Sequence, residues 1–509
     1  MQGYILPKNF SLRAFRESAK PFVLKKSRSS HCQRTLLDTF DGRIYRRGFI
    51  LLQMGTEYGL YSLKTGGISK RCQCKTRKRI RFCQDLPPGP LQSYLLPVTP
   101  PRALLARQRW LEKRHPFTIY NRQHQVLGHG ELVEFETTAQ TRFLFGAITP
   151  AIGHKSELKA WQQRLLDSGA SQTNGSAFAR FIEHAGLNLA GYSAKRVIRL
   201  QPHWPVQRAL QRLLRFQLQV MLQNEAGLRG DWDVEFLHDF RVAIRRTRSL
   251  TSLFKKILPS QRTQQARADF AFLSEKTNPL RDLDVQLLHS HAYRKLLPPS
   301  LHAGLDVLFK SVARERQKEF NAFIRVLDGV AFRRIKKKWL AFIKQEGQAF
   351  AHPAEPGSDH AMPVRDLVNR LVLRRFKKLQ KMAAAITETA AEKDLHRLRI
   401  EGKKLRYLLE FFSSLYPKPE LELLLEPLKQ MQDHLGTLND LAVQQTRLLR
   451  HVQEQQGRRP QPEMTAAIGA LVAVLHQHHV QLSNTTAHII NAFLTSDNKK
   501  RFRKLFRVR

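Results

Sequence analysis

HDFRVAIRRTR, residues 238–248, and HRLRIEGKKLR, residues 396–406, carry one arrangement of a histidine and four basic side chains twice over. His238, Arg241, Arg245, Arg246 and Arg248 answer to His396, Arg399, Lys403, Lys404 and Arg406, each pair 158 positions apart, and Val242 is matched by Ile400. LRDLDVQ at 280–286 and LNDLAVQ at 438–444 keep the same offset and pair Asp282 with Asp440. Two motifs on one offset mark a duplication of the chain after about residue 204, which has to be read before any local structure.

A helix turns about 100° per residue, so positions 238, 241, 245 and 248 share one narrow sector and Arg246 lies to its side. Leu237, Phe240 and Ile244, and in the second copy Leu395, Leu398, Leu405 and Leu408, fill the flanking sectors. Each basic stripe therefore adjoins an apolar face that must pack on other helices. A solvated face is the ordinary use of such a stripe; duplication at matched spacing points to a ligand instead.

Composition fits that reading. At 509 residues and 42% hydrophobic content the chain is long enough for two to four globular domains. It carries 86 Lys and Arg against 42 Asp and Glu, a formal charge of +44, with 33 basic and 12 acidic residues before position 201 and 53 and 30 after it. Both parts repel themselves, and the use of so much like charge is attraction of a polyanion: nucleic acid, an anionic membrane surface or polyphosphate. The N-terminus has charges where a signal peptide needs an apolar run, and nowhere do 18 apolar residues follow one another, so a cytoplasmic protein is expected. Cys32, Cys72, Cys74 and Cys83 lack the spacing of common zinc knuckles and are expected as free thiols.

From about 33 to 148 short apolar runs end at Asp41-Gly42, Gly55 and Gly66-Gly67, which predicts antiparallel hairpins. A basic run at 70–82 and a proline-rich connection follow; strand text resumes at HPFTIYNR and GELVEFET, and a helix at 158–169 stops at Gly169. The first 200 residues are thus α+β, with a linker near Gln201–Pro205. Beyond it the periods are helical. The first motif helix is expected to start at Asp231 or Asp233 and to run to Leu258, and the helices before the two motifs match with a small slip in register. Gly402 inside the second motif helix is explained by close helix packing. Residues 351–363 have the composition of a linker between the halves, about 204–350 and 364–509, each of which ends in a basic segment, 331–342 and 498–509.

TLLDTFDGRIYRRGFILL and the later order GELVEFET, GHKSELKAWQQRLLDSG, SAFARFIEHAG resemble the CYTH, or triphosphate-tunnel, family. That family's alternating Glu-x-Glu-x-Lys strand near the N-terminus, which holds metal and triphosphate, is missing here; Glu134 and Glu136 supply only a later acidic strand. Without carboxylates to hold a divalent ion the resemblance implies a degenerate, non-catalytic domain over 1–200. The duplicated His-x-x-Arg-[Val/Ile]-x-x-basic-basic-x-Arg motif, with both Asp-bearing echoes, resembles the CHAD family over about 204–509. This resemblance implies an all-α domain of two pseudo-symmetric four-helix bundles around a basic groove, binding of inorganic polyphosphate, and association with polyphosphate granules. No catalytic residue, metal or cofactor is implied.

Polyphosphate carries about one charge per phosphate and no base edges, so its receptor needs many guanidinium and ammonium donors rather than specific readout. Arg241, Arg245, Arg248, Arg399, Lys403 and Arg406 are the first-rank candidates, with Arg246 and Lys404 less aligned; Arg208, Arg212, Arg374, Lys377, Lys378 and Lys381 on the preceding helices come second. His238 and His396 admit three roles: metal ligand, phosphate donor, or a structural hydrogen bond to a backbone carbonyl or to Asp282 and Asp440. Two other functions stay open. One is weak or general nucleic-acid binding, against which stands the scarcity of aromatics in the stripes, Tyr407 excepted. The other is a metal-dependent triphosphatase with the helical part as docking module.

Overall fold

The computed structural model describes residues 2–18, 20–75, 80–139, 141–258, 260–344, 362–387, 391–453 and 461–507, and it divides into two compact units, Met1–Ser193 and Ala194–Arg509. Most of the expected 351–363 linker lies outside the described residues, as do 76–79 of the basic run and 508–509 of the last basic segment.

The alternating text of the first unit makes one antiparallel sheet. Its strands are β1 (Gln2–Leu6), β2 (Val23–Lys26), β3 (Ser30–Asp38), β4 (Phe49–Met54), β5 (Glu57–Ser62), β6 (Ile68–Gln73), β7 (Leu105–Tyr120), β8 (Val126–Thr137), β9 (Arg142–Pro150) and β10 (Ser171–Thr173). They lie in the order β10-β1-β9-β8-β7-β3-β4-β5-β6, with β2 pairing to β7. Gly42 and Gly55 take φ of 68° and 59°, a region that favours glycine, which is why the hairpins break there. Helices α1 (Leu12–Ser18), α2 (Pro90–Leu95), α3 (Lys155–Asp167) and α4 (Ala177–His184) complete the unit. Trp161 and Leu165 of α3 pack with Phe117 and Ile119, while Phe178 and Phe181 of α4 pack with Trp110 and Phe135.

The carboxylates of β7 and β8 are paired with basic side chains. Glu112 on β7 is fully buried between Arg34 at 3.3 Å and Arg114 at 2.7 Å. Glu131 meets Arg114 at 2.8 Å, Glu134 meets Arg142 at 2.7 Å, and Glu136 meets Lys113 at 3.1 Å. All four cysteines are free thiols. Burial, with Cys74 alongside, pushes the Cys72 thiol up to about 11, which keeps it protonated and a poor nucleophile or ligand.

The second unit is helical. Its first half contains α5 (Val206–Arg229), α6 (Val234–Leu253), α7 (Ser260–Leu288), α8 (Ser290–Leu296), α9 (His302–Asp328) and α10 (Val330–Lys344). The second contains α11 (Val364–Ala384), α12 (Glu392–Phe411), α13 (Lys418–Gln453), α14 (Pro462–Phe493) and α15 (Ser496–Leu505). Helices α5 and α11, α6 and α12, and α7 and α13 each begin 158 residues apart, so the slip expected between the first pair is not there. Both first helices follow a proline, and Pro205 and Pro363 form an antiparallel bridge that fixes the common start. The first motif helix ends at Leu253 rather than Leu258, because Phe254, Ile257 and Leu258 leave the helical path to bury their side chains. Both basic segments are helical ends anchored by apolar residues: Phe332, Ile335 and Trp339 on α10, Phe502 on α15 and Phe506 at its C-cap.

The halves are not closed separately. Leu283, Leu305, Leu308 and Val312 of the first share one core with Leu441, Leu448, Met464, Ile468 and Leu471 of the second. The unit begins at Ala194, ahead of the boundary expected at 200. Leu200 donates its N–H to the Ser414 hydroxyl, which in turn donates to the Ile198 carbonyl, so this segment is tied to the helices.

Candidate polyanion-binding site

The motif helices are aimed by their apolar faces. On α6 the buried apolar residues include Phe236, Leu237, Phe240, Ala243, Ile244 and Leu250; on α12 they include Leu398, Leu405, Leu408 and Leu409. Asp233 caps α6 by accepting from the Glu235 N–H at 2.9 Å, satisfying a donor that the helix leaves over. Glu392 and Asp394 put negative charge at the positive end of α12.

The two stripes meet where α6 crosses α12. Arg246 reaches Glu410 at 2.8 Å, and Arg406 reaches the same carboxylate at 2.7 Å. Arg246 also donates to the Ala194 carbonyl and lies over the Phe411 ring. Arg245 of the first motif stands near Lys403 of the second. Burial first, then the neighbouring charges of Arg399 and Arg245, hold the Lys403 ammonium down to about 8, with Asp440 pulling the other way and Arg406 adding a smaller push. Burial likewise brings Arg241 down to about 10, its guanidinium donating to the Ser274 carbonyl and, at 2.7 Å, to the Thr277 hydroxyl of α7.

The structure sorts the candidates by what they already hold. Arg245 and Arg248 are exposed and make no ion pair among the described residues. Lys403 is half-buried among cations. Arg399 reaches Asp440 only at 3.9 Å, and its buried Nε has no hydrogen-bond acceptor among the described residues. Arg246 and Arg406 are instead engaged with Glu410, and Lys404 lies at 3.4 Å from buried Glu401, which also takes Arg375 and Lys378. Arg374, Lys377 and Lys381 are exposed on α11. Arg208 and Arg212 are placed with Trp204, their guanidinium groups 4.4 and 5.6 Å from the ring centre.

The Asp echoes lie on a seam between α7 and α13 that carries the duplication into side-chain contacts. Asp282 pairs with Arg447 at 2.6 Å, and Asp440 faces His289, whose pKa burial lowers more than Asp440 raises it. Tyr293 donates to Gln444 at 2.7 Å, and His451 meets Gln286 at 3.5 Å. Residues 282, 286, 289 and 293 stand 158 positions before 440, 444, 447 and 451, so each contact has its counterpart across a pseudo-two-fold. Asp282 and Asp440 are thus seam residues. His396 reaches Asn439 at 3.3 Å rather than Asp440. Among the described residues no group of three His, Cys, Asp or Glu side chains is fit to hold a metal ion.

Beside this seam lies a cleft of about 860 Å³ between α12, α13 and α14. Lys393, His396, Arg399, Arg447, Arg450 and His479 line it with Asp282 and Glu392. Sequence reasoning named His396 and Arg399 but missed Arg447 and Arg450. The offset of 158 from His289 was a signal for Arg447; nothing in the local sequence marks Arg450.

Against known proteins, residues 212–449 match the model of the CHAD domain. The chain matches no curated protein significantly. Similar solved structures include the CHAD domain from the plant Ricinus communis, 24% identical, with a TM-score of 0.49 over 58% of this chain and 95% of that one. Another is PptA from Streptomyces chartreusis, 17% identical, with a TM-score of 0.45 over 57% of this chain and all of that one.

Proposed function

With residues 212–449 forming a CHAD domain, we propose that this chain binds inorganic polyphosphate, without turning it over, on the basic surface where the two motif helices meet. The observation that carries this reading is the placing of Lys403: where α6 crosses α12 this cation of one half stands half-buried beside Arg399 of its own half and Arg245 of the other. Desolvated like charges cost stability, and a flexible polyanion laid against them repays that cost. Arg245, Arg248, Arg399 and Lys403 make the primary contacts, and Arg241 holds the stripe against α7. His396 donates from the cleft, Arg447 and Arg450 extend it, and Arg374, Lys377 and Lys381 add exposed charge on α11.

The first unit serves this reading as a degenerate CYTH-like domain. Glu131, Glu134 and Glu136 are each tied to an Arg or Lys, which leaves them occupied rather than disposed around a metal ion. Release of phosphate from tripolyphosphate with added magnesium, abolished by Glu134→Gln, would overturn the non-catalytic assignment. No helix among the described residues is long and apolar enough to cross a membrane; we place the protein on polyphosphate granules in the cytoplasm, to be checked by co-localisation of a fluorescent fusion.

The deciding experiment is competition. Labelled long-chain polyphosphate on the full chain is challenged with single-stranded RNA and duplex DNA at equal phosphate concentration. The expected result is that polyphosphate resists both, and that Arg245→Ala with Lys403→Ala weakens it by about tenfold or more, since each charge-assisted contact is worth about 1.5–3 kcal/mol. Ready displacement by either nucleic acid makes the surface a general polyanion binder.

A further inference from the structure

Away from the stripes, the segment that leads into α5 builds a second cationic cleft. Ala194–Leu200 has no regular structure, yet it is pinned at three points: Arg246 donates to the Ala194 carbonyl, Ser414 donates to the Ile198 carbonyl, and Leu200 donates to Ser414. Between this strap and α5 lies a cleft of about 820 Å³. Arg196 and Arg199 enter it from the strap, Arg212 and Arg215 from α5, and no carboxylate is among the described residues that line it. Guanidinium groups gathered at one cleft whose described lining holds no carboxylate favour an anion with several charges. Arg212 is further ordered by the Trp204 ring, 5.6 Å away, so less side-chain freedom is lost on binding.

The cleft differs from the stripes in its floor. Val197, Ile198 and Phe216 share the lining with the arginines, and Val197 is 58% exposed. An exposed valine beside guanidinium groups gains nothing from a bare phosphate chain, but it covers the flat apolar part of an organic phosphate. We infer that the strap cleft is a second anion site, separate from the motif stripes, that takes a short oligophosphate group, free or carried on a nucleoside. The site goes beyond polymer binding and does not depend on it, because none of Arg196, Val197 or Arg199 belongs to the motif surface.

Titration calorimetry of the full chain with tripolyphosphate and, separately, with ATP tests the assignment, alongside long-chain polyphosphate binding. One equivalent of short ligand should bind to the native chain and to Arg245→Ala/Lys403→Ala alike, while Arg196→Ala/Arg199→Ala weakens it by about tenfold or more and leaves long-chain binding in place. ATP binding more tightly than tripolyphosphate, with the excess removed by Val197→Ser, identifies the nucleoside as carrier; equal binding of the two identifies the free inorganic chain. The site is refuted if Arg196→Ala/Arg199→Ala binds both probes as the native chain does, or if Arg245→Ala/Lys403→Ala alone abolishes short-ligand binding. A native chain that binds the short probes in the cleft, with that binding lost in Arg196→Ala/Arg199→Ala, but does not bind long-chain polyphosphate would instead overturn the polymer surface and leave the cleft standing.

Discussion

Lys403 and Glu410 divide the work of the motif surface between them. The ammonium of Lys403 titrates at about 8 in the fold, against the ordinary lysine value of about 10.4 in the unfolded chain. Below about pH 8 both states hold the proton, and the fold bears the full cost of the buried cation. Between the two values the unfolded chain binds more protons, so this residue's effect makes stability rise with pH across that window. Polyphosphate favours the charged form, so affinity runs the other way: it falls as pH rises from about 7 to about 9, and binding at the higher pH takes up a proton. Calorimetry in buffers of different ionisation heat measures that uptake, and Lys403→Arg should remove it. Glu410 acts in the opposite sense by occupying Arg246 and Arg406. Its replacement, Glu410→Gln, should cost about 1 kcal/mol in a denaturant titration and yet tighten polyphosphate, since two guanidinium groups are released. If Glu410→Gln weakens both stability and binding, the pair is part of the contact surface rather than a restraint on it.

At the level of elements, the repeat was the most legible feature of the sequence, because an offset of 158 survives whatever each helix packs against. It locates the starts of α5, α6 and α7 against α11, α12 and α13 to the residue, and it reappears in the seam contacts of Asp282, Gln286, His289 and Tyr293. Periodicity also separated stripe from core on α6 and α12. What it could not supply was the partner from another helix. Nothing local to Arg246 says that Glu410, 164 positions away, will meet it, or that the strap at 194–200 will face α5. The early end of α6 had the same origin, a tertiary demand to bury Phe254 that local sequence does not express. Glycine is a second case. A Cβ on Gly402 would meet Gln432 and Met431 at 3.4 and 3.5 Å, ordinary contact distances, so close packing does not require this glycine. Gly402→Ala should raise thermal stability, by up to about 1 kcal/mol from helix propensity. Gly304 on α9 is the reverse: a Cβ there would press into the Glu463 backbone carbonyl in the first turn of α14. Gly304→Ala should lower stability by about 1–3 kcal/mol, since a helix backbone has to move. Melting curves of the two variants with opposite signs test which helix contacts are at their limit.

Over the whole molecule, the charge of +44 sets two responses to salt that must differ in sign. The helical unit alone carries 56 Lys and Arg against 30 Asp and Glu, so much of the excess sits where motif cations already crowd one another. Like charge on a compact body destabilises it, and at about 0.15 M salt screening reaches only about 8 Å, too far to relieve neighbours such as Arg245 and Lys403 but enough to damp the rest. Raising salt from about 50 to about 500 mM should therefore raise the melting temperature of the free chain. Polyphosphate does the same job better at contact distance, and its binding releases counterions from both partners. Added salt should thus weaken binding, with log affinity falling linearly in log salt by roughly the number of cations that replace those counterions. Arg245→Ala/Lys403→Ala should flatten that slope and also raise the melting temperature of the free chain, since the removed cations repel one another there. A variant that lost affinity but kept the native slope would have lost shape rather than charge, and the polyphosphate would then be held by residues other than the two that crowd together where the halves meet.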